Sequence, residues 1–145
     1  MVYIGCDHAG YEIKNDIAKY LEENNIEYKD LGCNGEKVDY PVIAEKVCTG
    51  VLEDVENNKG ILICGTGIGM SIAANKIKGI RAAHCTDEYS SKYTRLHNNA
   101  NVLCMGARIT GSGLALEIAE VFLNTEFEGG RHQRRIDLID RLEEI

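Results

Sequence analysis

No apolar run in this sequence of 145 residues reaches the ~18 residues that cross a bilayer, which excludes a helical membrane span. The opening residues, MVYIGCDHAG, lack the basic start and long apolar stretch of a secretion signal, so a cytoplasmic location is expected. No C-x-x-C pair occurs. Without one, and without a signal, the six cysteines (Cys6, Cys33, Cys48, Cys64, Cys85 and Cys104) are expected as reduced thiols rather than disulfides. Several sit in apolar runs, where cysteine acts as a small buried hydrophobe, and five of the six are expected to be structural. No H-E-x-x-H occurs, and histidines and cysteines do not fall at ligand spacing, so metal binding is disfavoured. An excess of positive charge is also missing. The net charge of −7 argues against nucleic acid or an anionic membrane as the main partner. It leaves room for a small anionic ligand, because Arg131-His132-Gln133-Arg134-Arg135 is a local basic cluster. With no internal repeat, low-complexity tract or linker, residues 1–145 read as one domain.

What is present is alternation. Short branched-apolar runs at Val2–Cys6, Ile26–Leu31, Gly60–Cys64, Ile80–Cys85 and Asn101–Met105 are separated by amphipathic stretches. Ile13, Ile17, Tyr20, Leu21 and Asn24 recur at three-and-four spacing, as do Ala44, Val47, Cys48, Val51, Leu52 and Val55. The chain's one proline, Pro41, suits the first turn of that second helix, where a missing N–H costs nothing. Further helices are expected after Gly67, after Asp87, over Gly113–Asn124 and from about Arg134, the last with Ile136, Ile139 and Leu142 on one stripe. Strand–helix alternation predicts an α/β fold: a five-stranded parallel sheet with helices on both faces and ligands beyond the carboxyl ends of the strands. The glycines of Glu126–Gly130 would let the last helix leave the domain for a second copy of the chain. Folding back on its own domain accounts for the same residues equally well.

The predicted strand ends carry the chemistry. The third strand runs into Cys64-Gly65-Thr66-Gly67-Ile68-Gly69, where alternate glycines allow a tight turn whose N–H groups meet at a helix start. Such a nest holds a phosphate or an enediolate oxygen, though a plain strand-to-helix turn would use the same glycines. The absence of Gly-Lys-Ser/Thr excludes a Walker loop, and the spacing misses G-x-G-x-x-G. Cys64 stands at the mouth of the turn, where a thiol acidified by the helix start becomes a base or nucleophile. Asp7-His8 after the first strand offers an acid–base or hydrogen-bonding pair, and His97 precedes Asn98, Asn99 and Asn101. His84 is expected to end a buried strand and His132 to solvate the basic tail. Arg108, Arg131, Arg134 and Arg135 are candidates for bidentate phosphate binding. These residues describe an anion site with a reactive cysteine, and not yet a reaction.

Gly5-Cys6-Asp7-His8-Ala9-Gly10, Asp39-Tyr40-Pro41, GILICGTGIGMSIAANK at residues 60–76, Gly79-Ile80-Arg81-Ala82, His97-Asn98 and Glu128-Gly129-Gly130-Arg131-His132-Gln133 resemble, in order and spacing, the ribose-5-phosphate isomerase B family. That family also includes galactose-6-phosphate and allose-6-phosphate isomerases. The resemblance implies a Rossmann-like three-layer αβα sandwich whose C-terminal helix packs on a dimer partner. It implies a homodimer, or a dimer of dimers, with sites built from both subunits and no cofactor or metal. It implies a sugar-phosphate substrate isomerised through an enediolate in the pentose phosphate pathway. By position, Cys64 matches the base that moves a proton between C2 and C1, and Thr66 the hydroxyl that shifts protons between O1 and O2. Gly65, Gly67 and Gly69 match the anion hole, assisted by Asn98; Asp7 and His97 match residues that bind and open the furanose ring. His8, Arg108, Arg131 and Arg135 match the phosphate clamp, the arginines reaching in from the other subunit, and Tyr40 lines the sugar pocket. One branch of the family uses a glutamate base at the position of Met70, so Cys64 is the candidate base here; many members carry an acid where Asn99 stands. A hexose 6-phosphate substrate and a non-catalytic sugar-phosphate sensor are the competing readings.

Overall fold

The computed structural model describes residues 1–145. Five strands form, β1 (Val2–Cys6), β2 (Tyr28–Asp30), β3 (Lys59–Cys64), β4 (Ala82–His84) and β5 (Val102–Gly106). They make one sheet in the order β2-β1-β3-β5-β4, with every pair parallel. The central strands are buried on both faces, as their unbroken apolar runs require. The edge strands pair on one side only, and each is shorter than its run: β2 covers three residues of 26–31 and β4 three of 80–85.

Six helices cover the sheet: α1 (Tyr11–Glu23), α2 (Tyr40–Leu52), α3 (Ile68–Asn75), α4 (Glu88–Asn98), α5 (Ser112–Asn124) and α6 (Arg131–Arg141). Side chains alternate across each central strand. Ile61 and Ile63 of β3 join one core with Ile17, Leu21, Ile118 and Phe122, from α1 and α5. Leu62 and Cys64 join a second core with Val47, Val51, Met70 and Ala74, from α2 and α3. The layers are therefore helix, sheet, helix. Each fully buried Leu or Ile here contributes roughly 1.5–3 kcal/mol by removal from water. None of the helices is long and apolar enough to cross a membrane.

Three details depart from the sequence reading. The second helix stops at Leu52 rather than Val55, since residues 53–57 turn to enter β3. Lys14 faces inward on α1, fully buried, and donates to Asp30 Oδ1 at 2.8 Å and to the Cys33 carbonyl at 2.6 Å, anchoring the segment after β2. The last helix starts at Arg131 rather than Arg134, directly after Gly130 at φ +58°. Within one chain it also lies against its own domain and not away from it. Arg81 Nη1 meets Asp140 Oδ1 at 3.1 Å, the Gly79 N–H donates to Glu143 at 2.9 Å, and Lys78 pairs with Glu144. Leu138, Ile139 and Leu142 remain exposed along it.

Candidate active site

The chain leaves β1 for α1 on one face and leaves β3 for α3 on the other, and β1 and β3 are neighbours. Their diverging loops open a crevice at the carboxyl edge of the sheet, the place where a parallel α/β sheet takes its ligand. Asp7 and His8 stand on the β1 side, and Cys64–Gly69 on the β3 side. The Asp7 N–H donates to the Ile63 carbonyl at 3.1 Å, and its Oδ1 accepts the Ala9 N–H at 2.9 Å, so its carboxyl is fixed at the start of a short 3₁₀ turn.

Cys64 is the last residue of β3 and is 5% exposed. Its sulfur accepts the Gly67 N–H at 3.1 Å. Gly67 stands at φ +80°, where a Cβ would lie 2.7 Å from the Met105 carbonyl carbon and 2.8 Å from His84 Cδ2. Gly67→Ala is therefore expected to lower stability by roughly 1–3 kcal/mol, read from the urea midpoint, and to reduce turnover by displacing the amide from the sulfur. Thr66 Oγ1 accepts the Ile68 N–H at 3.3 Å, which leaves its hydrogen available to a ligand.

The turn is thus not a nest of three equivalent glycine amides. Gly67 serves the sulfur, and Gly69 lies in the first turn of α3, where amides have no intrahelical acceptor. A Cβ on Gly69 would come within 2.8 Å of the Tyr40 ring, so Tyr40 and the turn share one wall. The Arg108 N–H donates to the Gly65 carbonyl at 3.0 Å, and its Nη1 lies 3.4 Å from where a Gly65 Cβ would be. Asp7, His8, Tyr40, Cys64, Gly65, Thr66, Gly67, Gly69 and Arg108 all gather at this edge, so Arg108 shares a copy with Cys64, whereas the resemblance implies all the arginines from the other subunit.

His97, Asn98, Arg131 and Arg135 do not. His97 and Asn98 end α4, at the amino end of β5, and the Asn98 carbonyl accepts Arg81 Nε at 3.0 Å just before β4. The β3–β5 pairing runs from Gly60↔Val102 to Cys64↔Gly106, four residues or ~13 Å. That length separates the two groups along the sheet. Arg131 and Arg135 are exposed on the first turns of α6, near His132, which stacks on His97. Within one chain, therefore, the candidate residues form two clusters at opposite ends.

The second cluster holds two residues whose roles the sequence did not give. His132 does not solvate the tail: it is 3% exposed and stacks on His97, centroids 4.1 Å apart and planes 14° apart. Burial pushes its imidazole below the usual value, with neighbouring His97 and Arg131 acting the same way. Glu128 Oε2 lies 3.9 Å from His97 Nε2 and 4.0 Å from His132 Nε2. His132 precedes Ile136 by four, so it shares the apolar stripe of α6, a signal already present in the sequence. His84 ends β4 as expected, but that strand is a half-buried edge strand rather than a buried one, and His84 lies half-buried beside Gly67. All six cysteines are free and buried. Burial pushes the Cys6 and Cys48 thiols up to about 12 and raises Cys85 and Cys104, as suits core residues.

A three-layer α/β chain with a thiol and a glycine turn at the switch point of its sheet has the plan of a small ligand-binding α/β domain. A family model described as Ribose/Galactose Isomerase matches residues 2–139, and the chain belongs to that family. Ribose-5-P isomerase B of Listeria innocua is 47% identical over 99% of this chain and 97% of its own. Ribose-5-phosphate isomerase B of Escherichia coli is 44% identical over 99% and 96%. The crystal structure of ribose-5-phosphate isomerase B from Mycoplasma genitalium, with bound ribulose-5-phosphate, superposes at a TM-score of 0.95 with 42% identity, covering 99% and 95%.

Proposed function

We propose that this chain interconverts D-ribose 5-phosphate and D-ribulose 5-phosphate, with Cys64 as the base. The observation that carries the reading is the Cys64 sulfur at the sheet's switch point, 3.1 Å from the Gly67 amide. Relatives named for this reaction at 44–47% identity, and a similar structure holding ribulose-5-phosphate, support the choice of sugar. In the open-chain aldose the sulfur takes the proton from C2. The C–H electron pair becomes the C1=C2 bond, and the carbonyl pair moves to O1. Return of the proton to C1 and transfer of a proton from O2 to O1, aided by Thr66, gives the ketose with no net oxidation. The enediolate forms at a useful rate only if its oxygen is stabilised, and the α3 amides at Gly69 suit that task.

Because His97, Asn98, Arg131 and Arg135 stand at the far end of the sheet, the complete site requires two copies of the chain. One contributes Cys64, Thr66, Asp7, His8, Tyr40 and Arg108. The other contributes His97 and Asn98 at the sugar, with Arg131 and Arg135 on the phosphate. Remote phosphate contacts hold ground state and transition state alike. Arg135→Ala is therefore expected to raise KM about tenfold or more while kcat changes little. An unchanged KM would remove Arg135 from the clamp.

The reading is tested by assaying the purified chain with EDTA present on ribose 5-phosphate, allose 6-phosphate and galactose 6-phosphate. Fastest turnover of ribose 5-phosphate is expected. A preference for a hexose phosphate keeps the chemistry and changes the sugar. Tight binding with no turnover of any of the three would make the chain a sensor.

A further inference from the structure

The pair His132 and Glu128 has no part in the chemistry above, yet its placement is specific. His97 is gripped on three sides: the Tyr93 ring meets it edge-on at 5.0 Å, His132 stacks on its face, and Glu128 faces its Nε2. His132 Nε2 is buried with no hydrogen-bond partner, and the same Glu128 oxygen is its nearest acidic neighbour. Two histidines and a carboxylate with ligand atoms within 4.8 Å of one another would suggest a cation site. The ring planes argue otherwise. A metal ion must lie in the plane of each imidazole that binds it, and rings stacked 14° from parallel cannot both aim at one ion. The arrangement suits the control of a single imidazole.

We infer that Glu128, backed by the His132 stack, is a positioning residue for His97 in opening the furanose ring of the sugar phosphate; this rests on the isomerase reading above. In ring opening a proton leaves O1, C1=O1 forms as the C1–O4 bond breaks, and a proton reaches O4. An imidazole can serve those transfers only with one nitrogen protonated and the other free, and in one orientation. Glu128, at 3.9 Å, is a small side-chain rotation from accepting Nε2–H, which leaves Nδ1 as the basic nitrogen. The stacked His132 fixes the ring plane. Glu128 is exposed, and its backbone N–H donates to the Leu96 carbonyl at 3.1 Å, so Glu128→Gln keeps both shape and main-chain anchor.

The test separates ring-dependent from ring-independent chemistry. Ribulose 5-phosphate has its O5 esterified and no furanose form, so solvent deuterium entering its C1 reports enediolate formation without ring opening. In Glu128→Gln, turnover of ribose 5-phosphate is expected to fall about 10–100-fold, part of the ~10²–10⁴-fold that a placed acid–base group supplies. Deuterium entry, followed by NMR, is expected to stay within about twofold. Parallel loss of both rates would make Glu128 merely structural, and loss of neither would leave His97 independent of it; either outcome overturns the inference. If the unmodified chain shows neither rate, the isomerase reading falls and this inference with it.

Discussion

Cys64→Ala is expected to lower kcat for ribose 5-phosphate by roughly 10³–10⁴-fold, near the upper range for loss of a general base. Met70, the alternative base position, is buried and carries no carboxylate, which leaves the Cys64 sulfur as the proposed base. The substitution removes one buried atom, so it costs stability about 1 kcal/mol and leaves the fold intact. On the proposed division of roles, with binding carried by the arginines and the turn, substrate affinity should be nearly unchanged. Near-normal kcat in this variant, by the same discontinuous assay, would remove Cys64 from its role.

The second large effect concerns two inactive proteins that become active when combined. Cys64→Ala and His97→Ala homodimers should each be almost inert. If each site takes Cys64 from one copy and His97 from the other, a mixed dimer has one site free of both substitutions and one bearing both. Random re-assortment after partial denaturation and refolding makes half the dimers mixed, so about a quarter of the normal activity should return. Sites drawing both residues from one copy would regain nothing on mixing. The amplitude of recovery therefore tests the division of the site without any structure of the assembly.

The sheet was legible in the sequence because buried parallel strands must be apolar throughout, and Gly60–Cys64 and Asn101–Met105 could be little else. The carboxyl-edge cluster was legible for a related reason, as all of it but Tyr40 lies within a few residues of the ends of β1, β3 and β5. Lys14 was not, since nothing local tells that a lysine on an amphipathic helix will turn inward to meet Asp30, sixteen residues on. The stripe shared with Ile136 signalled that His132 is buried, but the roles of His132 and Glu128 were opaque. Their meaning depends on the approach of α6 to the end of α4, a contact across some thirty residues that periodicity does not report. The separation of His97 from Cys64 follows from topology alone: α4 runs antiparallel to the strands, so its last turn must finish at their amino ends.

The strands at the two borders of the sheet are three residues long, and both are partly exposed. A border that short offers an incoming strand very few unpaired backbone groups, so continuing the sheet into a neighbour gains little. Runaway strand-by-strand polymerisation, the hazard of an open parallel sheet, is thereby blunted at both margins. Any self-association is then left to side-chain packing between helices, which closes on itself and stops at two copies where the contact is isologous.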